Sequence, residues 1–386
     1  MRARPRRRFS GHAGPRARLR AAAAGPLATA AVVASLAPLA ALLPACALPP
    51  AWPARHLEAP RDPAAVERGR YLAEHLCVCV TCHSERDWRY YGGPAVPGTD
   101  AAGGVDTFDE VFHLPEGVSI PASNLSPHAL GDWSDGEIYR AITGGLSADG
   151  HALFPTMPYF QYRRMARSDL EAIVSYLRVI PANSHEPPAR DLRYRVLSDL
   201  TNTFPIAPSP PAEPPQRGTR EYGKYLAVQG GCWWCHTPID KLGWPIPGTD
   251  LSGGNAFTVP EPGGGTVWAP NISPDESGIG AWTRETFVRR FKSATPDAVR
   301  QSAIQPGGFN TVMAWPAYSG LSEEDLGSLY EFLMSRRPIR KLVKRWEPRA
   351  LVKPPVETPP EPGAAADYRA GFRARAGLRT RAWSHD

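Results

Sequence analysis

Cys79-Val80-Thr81-Cys82-His83 and Cys232-Trp233-Trp234-Cys235-His236 decide the reading of this 386-residue chain. Both spell C-x-x-C-H, the attachment signature of c-type haem. The chemistry accounts for the spacing. Each thiol adds to one vinyl group of the porphyrin and forms a thioether. Two intervening residues let one helical turn carry both sulfurs to the macrocycle edge. The adjacent histidine then sits beneath the iron as its proximal ligand. A redox C-x-x-C or half of a zinc site would use similar residues. No second C-x-x-C lies near enough to complete a four-thiolate zinc site within one domain, and a redox pair does not need His twice. Cys79, Cys82, His83, Cys232, Cys235 and His236 are therefore expected to hold two covalent haems c, with His83 and His236 on the irons.

The similarity between the two motifs spreads outward at an offset of about 150 residues. Gly69-Arg70-Tyr71-Leu72-Ala73 precedes the first motif and Gly223-Lys224-Tyr225-Leu226-Ala227 the second. Pro97-Gly98-Thr99-Asp100 with Gly103-Gly104 is echoed by Pro247-Gly248-Thr249-Asp250 with Gly253-Gly254. Asn124-Leu125-Ser126-Pro127 matches Asn271-Ile272-Ser273-Pro274, and Trp133 matches Trp282. Each half closes with a helix. Ser168-Asp169-Leu170-Glu171 reads as a capping box opening a helix to Ile180, and Ser322 opens a similar one to Ser335. Leu170, Ile173, Val174 and Leu177 share one helical face, as do Leu326, Leu329, Tyr330 and Leu333. Pro181 and Pro338 stop the two helices. The expected fold is mainly α: tandem domains at 62–185 and 217–342, each wrapping one haem, with long Pro/Gly-rich loops. A proline-rich linker at 186–216 joins them, and a Pro/Arg-rich flexible tail at 343–386 follows.

An electron-transfer haem fills both axial positions, and methionine sulfur is a common distal ligand. Met157, in Phe154-Pro155-Thr156-Met157-Pro158-Tyr159, and Met313, in Asn310-Thr311-Val312-Met313-Ala314-Trp315-Pro316, occupy the same place in the repeat. Both are the expected sixth ligands. Met165 and Met334 lack that symmetry, and Met334, on the closing helix, reads as core. His75, His113, His128 and His151 are rivals in the first half, whereas the second half has no histidine besides His236. Trp133 and Trp282 read as packing residues against haem or core. For Trp233, Trp234 and Trp244, electron relay is the minority reading.

The ends differ from the body. Residues 1–20 carry eight arginines and no acid, and 21–50 are uncharged and mostly Ala, Leu and Val. Ala45-Cys46-Ala47 fits a signal-peptide cleavage site, Leu43-Pro44-Ala45-Cys46 fits a lipobox, and the apolar length also fits a retained span interrupted by prolines. Residues 1–50 are thus a signal peptide or a lipoprotein or membrane anchor, and the location expected is periplasmic, with membrane attachment through Cys46 or an uncleaved segment as alternatives. The overall charge is +6, but residues 48–335 hold 23 basic and 33 acidic residues. An acidic body removes the case for a nucleic-acid partner. Cys77 is left over. It is an unused thiol, a partner for some other group, or a competitor of Cys79 during attachment.

These motifs resemble the cytochrome c subunit of membrane-bound alcohol and aldehyde dehydrogenases. The matching residues are Gly69 to Ala73 before Cys79, Asn271-Ile272-Ser273-Pro274-Asp275 before Trp282, and the Met157-Pro158-Tyr159 loop followed by Leu170 to Leu177. The resemblance covers roughly 64–183 and 217–340. It implies class I cytochrome c domains with Cys79, Cys82, His83 and Met157 at one haem and Cys232, Cys235, His236 and Met313 at the other. That family commonly carries three haems, and this chain has two motifs. The expected function is electron transfer rather than catalysis. The partners expected are a dehydrogenase subunit, a quinol-oxidising complex or a terminal oxidase. The alternative is a dihaem, peroxidase-like enzyme with one open iron.

Overall fold

The computed structural model describes residues 54–104, 120–188, 210–241 and 243–349. The expected N-terminal segment with Cys46, His113, most of the linker and most of the tail lie outside the described residues.

Helix α1 (Pro63–Tyr71) starts where sequence chemistry favours it. The Asp62 carboxylate accepts the Ala65 N–H at 3.0 Å, and Pro63 occupies the first helical position. A π turn (Leu72–Leu76) extends it toward α2 (Cys79–Cys82), the turn of the first C-x-x-C-H motif. Helix α3 (Asp135–Gly144) opens on a reciprocal capping box between Ser134 and Glu137, and α4 (Arg167–Leu177) closes this half. The second half repeats the order with α5 (Arg220–Gln229), α6 (Cys232–His236), α7 (Arg284–Lys292) and α8 (Glu323–Met334).

In each half the first helix crosses the closing helix, α1 on α4 and α5 on α8. A glycine makes each crossing close. A Cβ on Gly69 would lie 1.8 Å from the Ala172 carbonyl oxygen, and one on Gly223 would lie 1.9 Å from that of Ser328. Neither backbone can yield without separating the helices. Gly69→Ala and Gly223→Ala are each expected to lower stability by on the order of 3 kcal/mol, measured by urea unfolding. Leu170, Ile173, Val174 and Leu177 are buried as the spacing demands, as are Leu326, Leu329 and Leu333. Tyr330 is half-buried, and its hydroxyl donates to the Trp282 carbonyl at 2.8 Å. One apolar core runs through both halves, joining Leu72, Leu76 and Leu170 to Tyr222, Leu226 and Leu326.

The halves also meet through matched polar contacts. Tyr71 Oη donates to Asp325 at 2.6 Å and accepts the Ser322 N–H at 3.0 Å. Tyr225, its counterpart, donates to Asp169 at 2.7 Å and accepts the Ala166 N–H at 3.3 Å. This explains a departure from the sequence reading. Ser168 does not cap α4: the helix begins at Arg167 with Ala166 as its N-cap residue, and Ser168 donates to Glu213 instead. Asp169 is taken by Tyr225 and by a bidentate bond from Arg68 at 2.8 and 2.9 Å. Ser322, by contrast, does cap α8, accepting the Asp325 N–H at 3.1 Å.

A three-stranded antiparallel sheet is the element the periodicity did not announce. It comprises β1 (Ala256–Val259), β2 (Gly265–Trp268) and β3 (Trp346–Pro348) in that order. Residues 346–348, assigned from composition to the tail, instead pair with β2.

Asp135 ties the first half together. Its carboxylate accepts the Ala59 N–H at 2.8 Å, Arg178 at 2.8 Å and Arg61 at 2.9 Å. Burial pushes its pKa up, but these donors outweigh burial and hold it below the usual carboxylate range. A depressed folded pKa gives stability that is present above the unfolded value, roughly 3.9, and is lost as pH falls through the folded value. Asp135→Asn leaves the largely buried Arg178 without a carboxylate. It is expected to cost about 3 kcal/mol at pH 7. Much of that difference should vanish in acid, as unfolding curves at both pH values will show.

Candidate haem-attachment sites

Both C-x-x-C-H turns are preceded by a residue in the left-handed region, Val78 at φ 49° and Gly231 at φ 71°. The chain therefore reverses sharply before each first cysteine, which lifts the thiol pair off the preceding helix. Glycine takes this conformation freely, whereas a β-branched valine is strained there. Just before it, Cys77 stands where the second half has Gly230. A tyrosine hydroxyl meets the backbone carbonyl at both positions: Tyr162 donates to Cys77 O at 3.0 Å and Tyr318 to Gly230 O at 2.8 Å. Cys77 is buried, while Cys79, Cys82, Cys232 and Cys235 are half-buried. Burial, with Cys235 beside it, pushes the Cys232 thiol up to about 12. Burial, with Cys82 of the other half, pushes Cys235 up to about 11. The chain just before each turn meets the other half: a Cβ on Gly230 would lie 3.3 Å from the Leu76 side chain.

Each histidine is oriented by the same device. His83 Nδ1 meets the Ser123 carbonyl at 2.7 Å, and His236 Nδ1 meets the Pro270 carbonyl at 2.8 Å. A carbonyl only accepts, so Nδ1 carries the proton and Nε2 keeps its lone pair for a metal. Burial lowers both imidazole pKa values against that hydrogen bond, which favours the neutral, ligating form. Ser123 and Pro270 are the residues before the repeated asparagines. Asn124 accepts the Ser126 N–H at 2.8 Å and Asn271 accepts that of Ser273 at 2.9 Å. Both amides reach the chain beyond the closing helix, at Asn183 and Ile339, each at 2.8 Å. The repeated glycines hold the other side: Gly103 donates to His83 O at 2.8 Å and Gly253 to His236 O at 2.7 Å.

The methionines sit in matched turns. Tyr159 N donates to Met157 O at 2.8 Å, and Trp315 N donates to Met313 O at 2.7 Å. The intervening residues have nearly the same backbone, Pro158 at φ −82°, ψ 48° and Ala314 at φ −75°, ψ 55°. These are inverse γ-turns. Replacing Pro158 with alanine at the matching place therefore changes the sequence pattern and not the chain path. Both methionines are half-buried against the main core. Met165 is fully buried, and Met334 packs partly buried on the core.

The remaining candidates separate clearly. His75 is held between the halves, its Nδ1 donating to the Ala317 carbonyl at 3.1 Å. His151 lies beside Asp149 at 3.5 Å, and His128 lies on the turn Pro127–Leu130. Trp133, Trp282 and Trp233 pack partly buried on the core. Trp234 rests on Phe160 of the first half, ring centroids 4.6 Å apart, and Trp244 is 68% exposed. The residues missed in the sequence were the supporting ones: Tyr162, Tyr318, and the Ser123 and Pro270 carbonyls. The repeated asparagines were the available signal for the last two.

The donor set fits haem c: two thiols on one turn, a tautomer-fixed imidazole, and a thioether in a constrained loop. Comparison with known proteins agrees. The chain is 29% identical over 297 residues to the cytochrome c subunit of a quinone-type alcohol dehydrogenase from Gluconacetobacter polyoxogenes, covering 72% of this chain and 57% of the relative. The chain is similar to cytochrome c subunits of dehydrogenases. A fructose dehydrogenase cytochrome subunit from Gluconobacter japonicus is 26% identical over 258 residues, covering 63% of this chain and 48% of the relative. A dihaem c-type cytochrome from Cereibacter sphaeroides is 29% identical over 200 residues, covering 47% and 65%. No protein-family model matches the chain. The chain spans just over half the length of the alcohol dehydrogenase relatives it matches. Among the described residues no helix is long and apolar enough to cross a membrane.

Proposed function

We propose that this chain is a dihaem cytochrome c that carries electrons. Cys79, Cys82, His83 and Met157 hold one haem, and Cys232, Cys235, His236 and Met313 hold the other. The observation that carries this reading is the duplication of the whole constellation. In both halves a carbonyl fixes the histidine tautomer, and an inverse γ-turn presents the methionine. The bound haem supplies reversible one-electron chemistry. The chain keeps each imidazole neutral and oriented, excludes water through the packed core, and restrains both methionine loops so that little moves when charge changes.

The relatives' names support a dehydrogenase as one partner, and an electron carrier passes what it receives to a second redox protein. The arginine-rich start with its apolar continuation supports work outside the cytoplasm, in the periplasm. Stepwise reductive titration of the haem-loaded chain tests the function. The electron-carrier reading expects two reversible one-electron steps and no turnover of hydrogen peroxide. Sustained peroxide turnover would replace it with the dihaem enzyme.

A further inference from the structure

The tyrosine–aspartate contacts between the halves are reciprocal. Tyr71 of the first half reaches Asp325 at the start of α8, and Tyr225 of the second half reaches Asp169 at the start of α4. Each hydroxyl also accepts the N–H of the partner helix's N-cap residue. Such an exchange of identical contacts is the mark of a two-fold interface, here between repeats of one chain. Both carboxylates are buried, and an arginine of their own half neutralises each, Arg68 on Asp169 and Arg217 on Asp325. A buried, fully paired carboxylate fixes geometry more strongly than apolar contact alone.

The tyrosines stand at or near the ends of the helices that lead into the attachment turns. Directly beyond them the halves touch again. Leu76 packs on Gly230, where a Cβ would come within 3.3 Å of it, and His75 bonds Ala317. Trp234, inside the second motif, rests on Phe160 beside the Met157 loop.

We propose that Tyr71 and Tyr225 are positioning residues. With Asp325 and Asp169 they lock the two attachment turns at one spacing, so an electron passes between the halves without movement of one half on the other. The inference rests on the dihaem reading above. One half loses one electron and the other gains it, and no further reagent takes part.

The experiment uses the full haem-loaded chain, with haem content measured first. Less than one electron per chain is injected by a light pulse, and equilibration between the halves is followed in solutions of increasing glycerol content. In the unaltered protein the rate is expected to be independent of viscosity. In Tyr71→Phe/Tyr225→Phe the axial-ligand absorption should be unchanged. If the locked arrangement falls to about one molecule in ten, the rate drops about tenfold and becomes viscosity-dependent. Amide hydrogen exchange should rise across 72–76 and 226–230. Either single variant keeps one lock and should slow transfer much less. A viscosity-dependent rate in the unaltered protein would overturn the proposal, and that measurement decides the matter even if the double variant does not fold. A double variant that transfers electrons at the unaltered rate would overturn it equally. Fewer than two haems per chain would instead show failure of the dihaem reading, and amide exchange would then decide whether the tyrosines lock the halves.

Discussion

Cys232→Ser/Cys235→Ser is expected to leave the chain with one covalently bound haem, and Cys79→Ser/Cys82→Ser to do the same at the other site. Intact mass under denaturing conditions reads this directly, because a thioether survives unfolding and an axial bond does not. The expectation follows from the independence of the two turns. Each has its own left-handed entry, its own tyrosine on the preceding carbonyl, and its own oriented histidine. Cys77→Ser should retain both haems. Its position is that of Gly230, in front of the reversal at Val78, and its side chain is buried in the main core with its thiol beside that of Cys79. Loss of one haem in that variant would make Cys77 a participant in attachment.

Met313→Ala should open one iron. The reduced variant is then expected to bind carbon monoxide, the weak far-red band of the oxidised protein should fall by about half, and one of the two reduction steps should move down. Axial ligands span roughly 0.8 V of haem potential, so a fall on the order of 0.1 V is the scale to look for. Met157→Ala should act in the same way on the other haem. Lost packing alone cannot mimic this result. Met165→Ala is the control: that side chain is fully buried, so it should cost about 2–5 kcal/mol and leave the spectrum intact.

Much of this was legible because the chain states it twice. A repeated C-x-x-C-H with repeated asparagines and glycines pointed to the two turns whose histidines meet the Ser123 and Pro270 carbonyls, and the paired methionines fall in matching turns. Helical spacing found the closing faces at Leu170 to Leu177 and Leu326 to Leu333. What stayed hidden was non-local. Ser168 to Glu171 satisfies the local pattern of a capping box, but Asp169 is engaged by Arg68 and Tyr225, and the helix starts two residues earlier, with Ala166 in the N-cap place. The matched Tyr71 and Tyr225 were visible as repeats, yet nothing local says that each serves the other half. The pairing of β2 with residues 346–348 joins segments far apart in sequence, and a proline-rich composition hides a strand that short. The histidine-orienting groups escaped for a simpler reason. They are backbone carbonyls, which any residue supplies.

The most direct measurement is the absorption spectrum of the haem-loaded protein, oxidised and reduced, before and after carbon monoxide. Two sites closed by His83 with Met157 and His236 with Met313 predict a weak far-red sulfur-to-iron band when oxidised and no carbon monoxide shift when reduced. A high-spin oxidised spectrum, or a clear shift with carbon monoxide, would show an open iron and contradict the dihaem carrier.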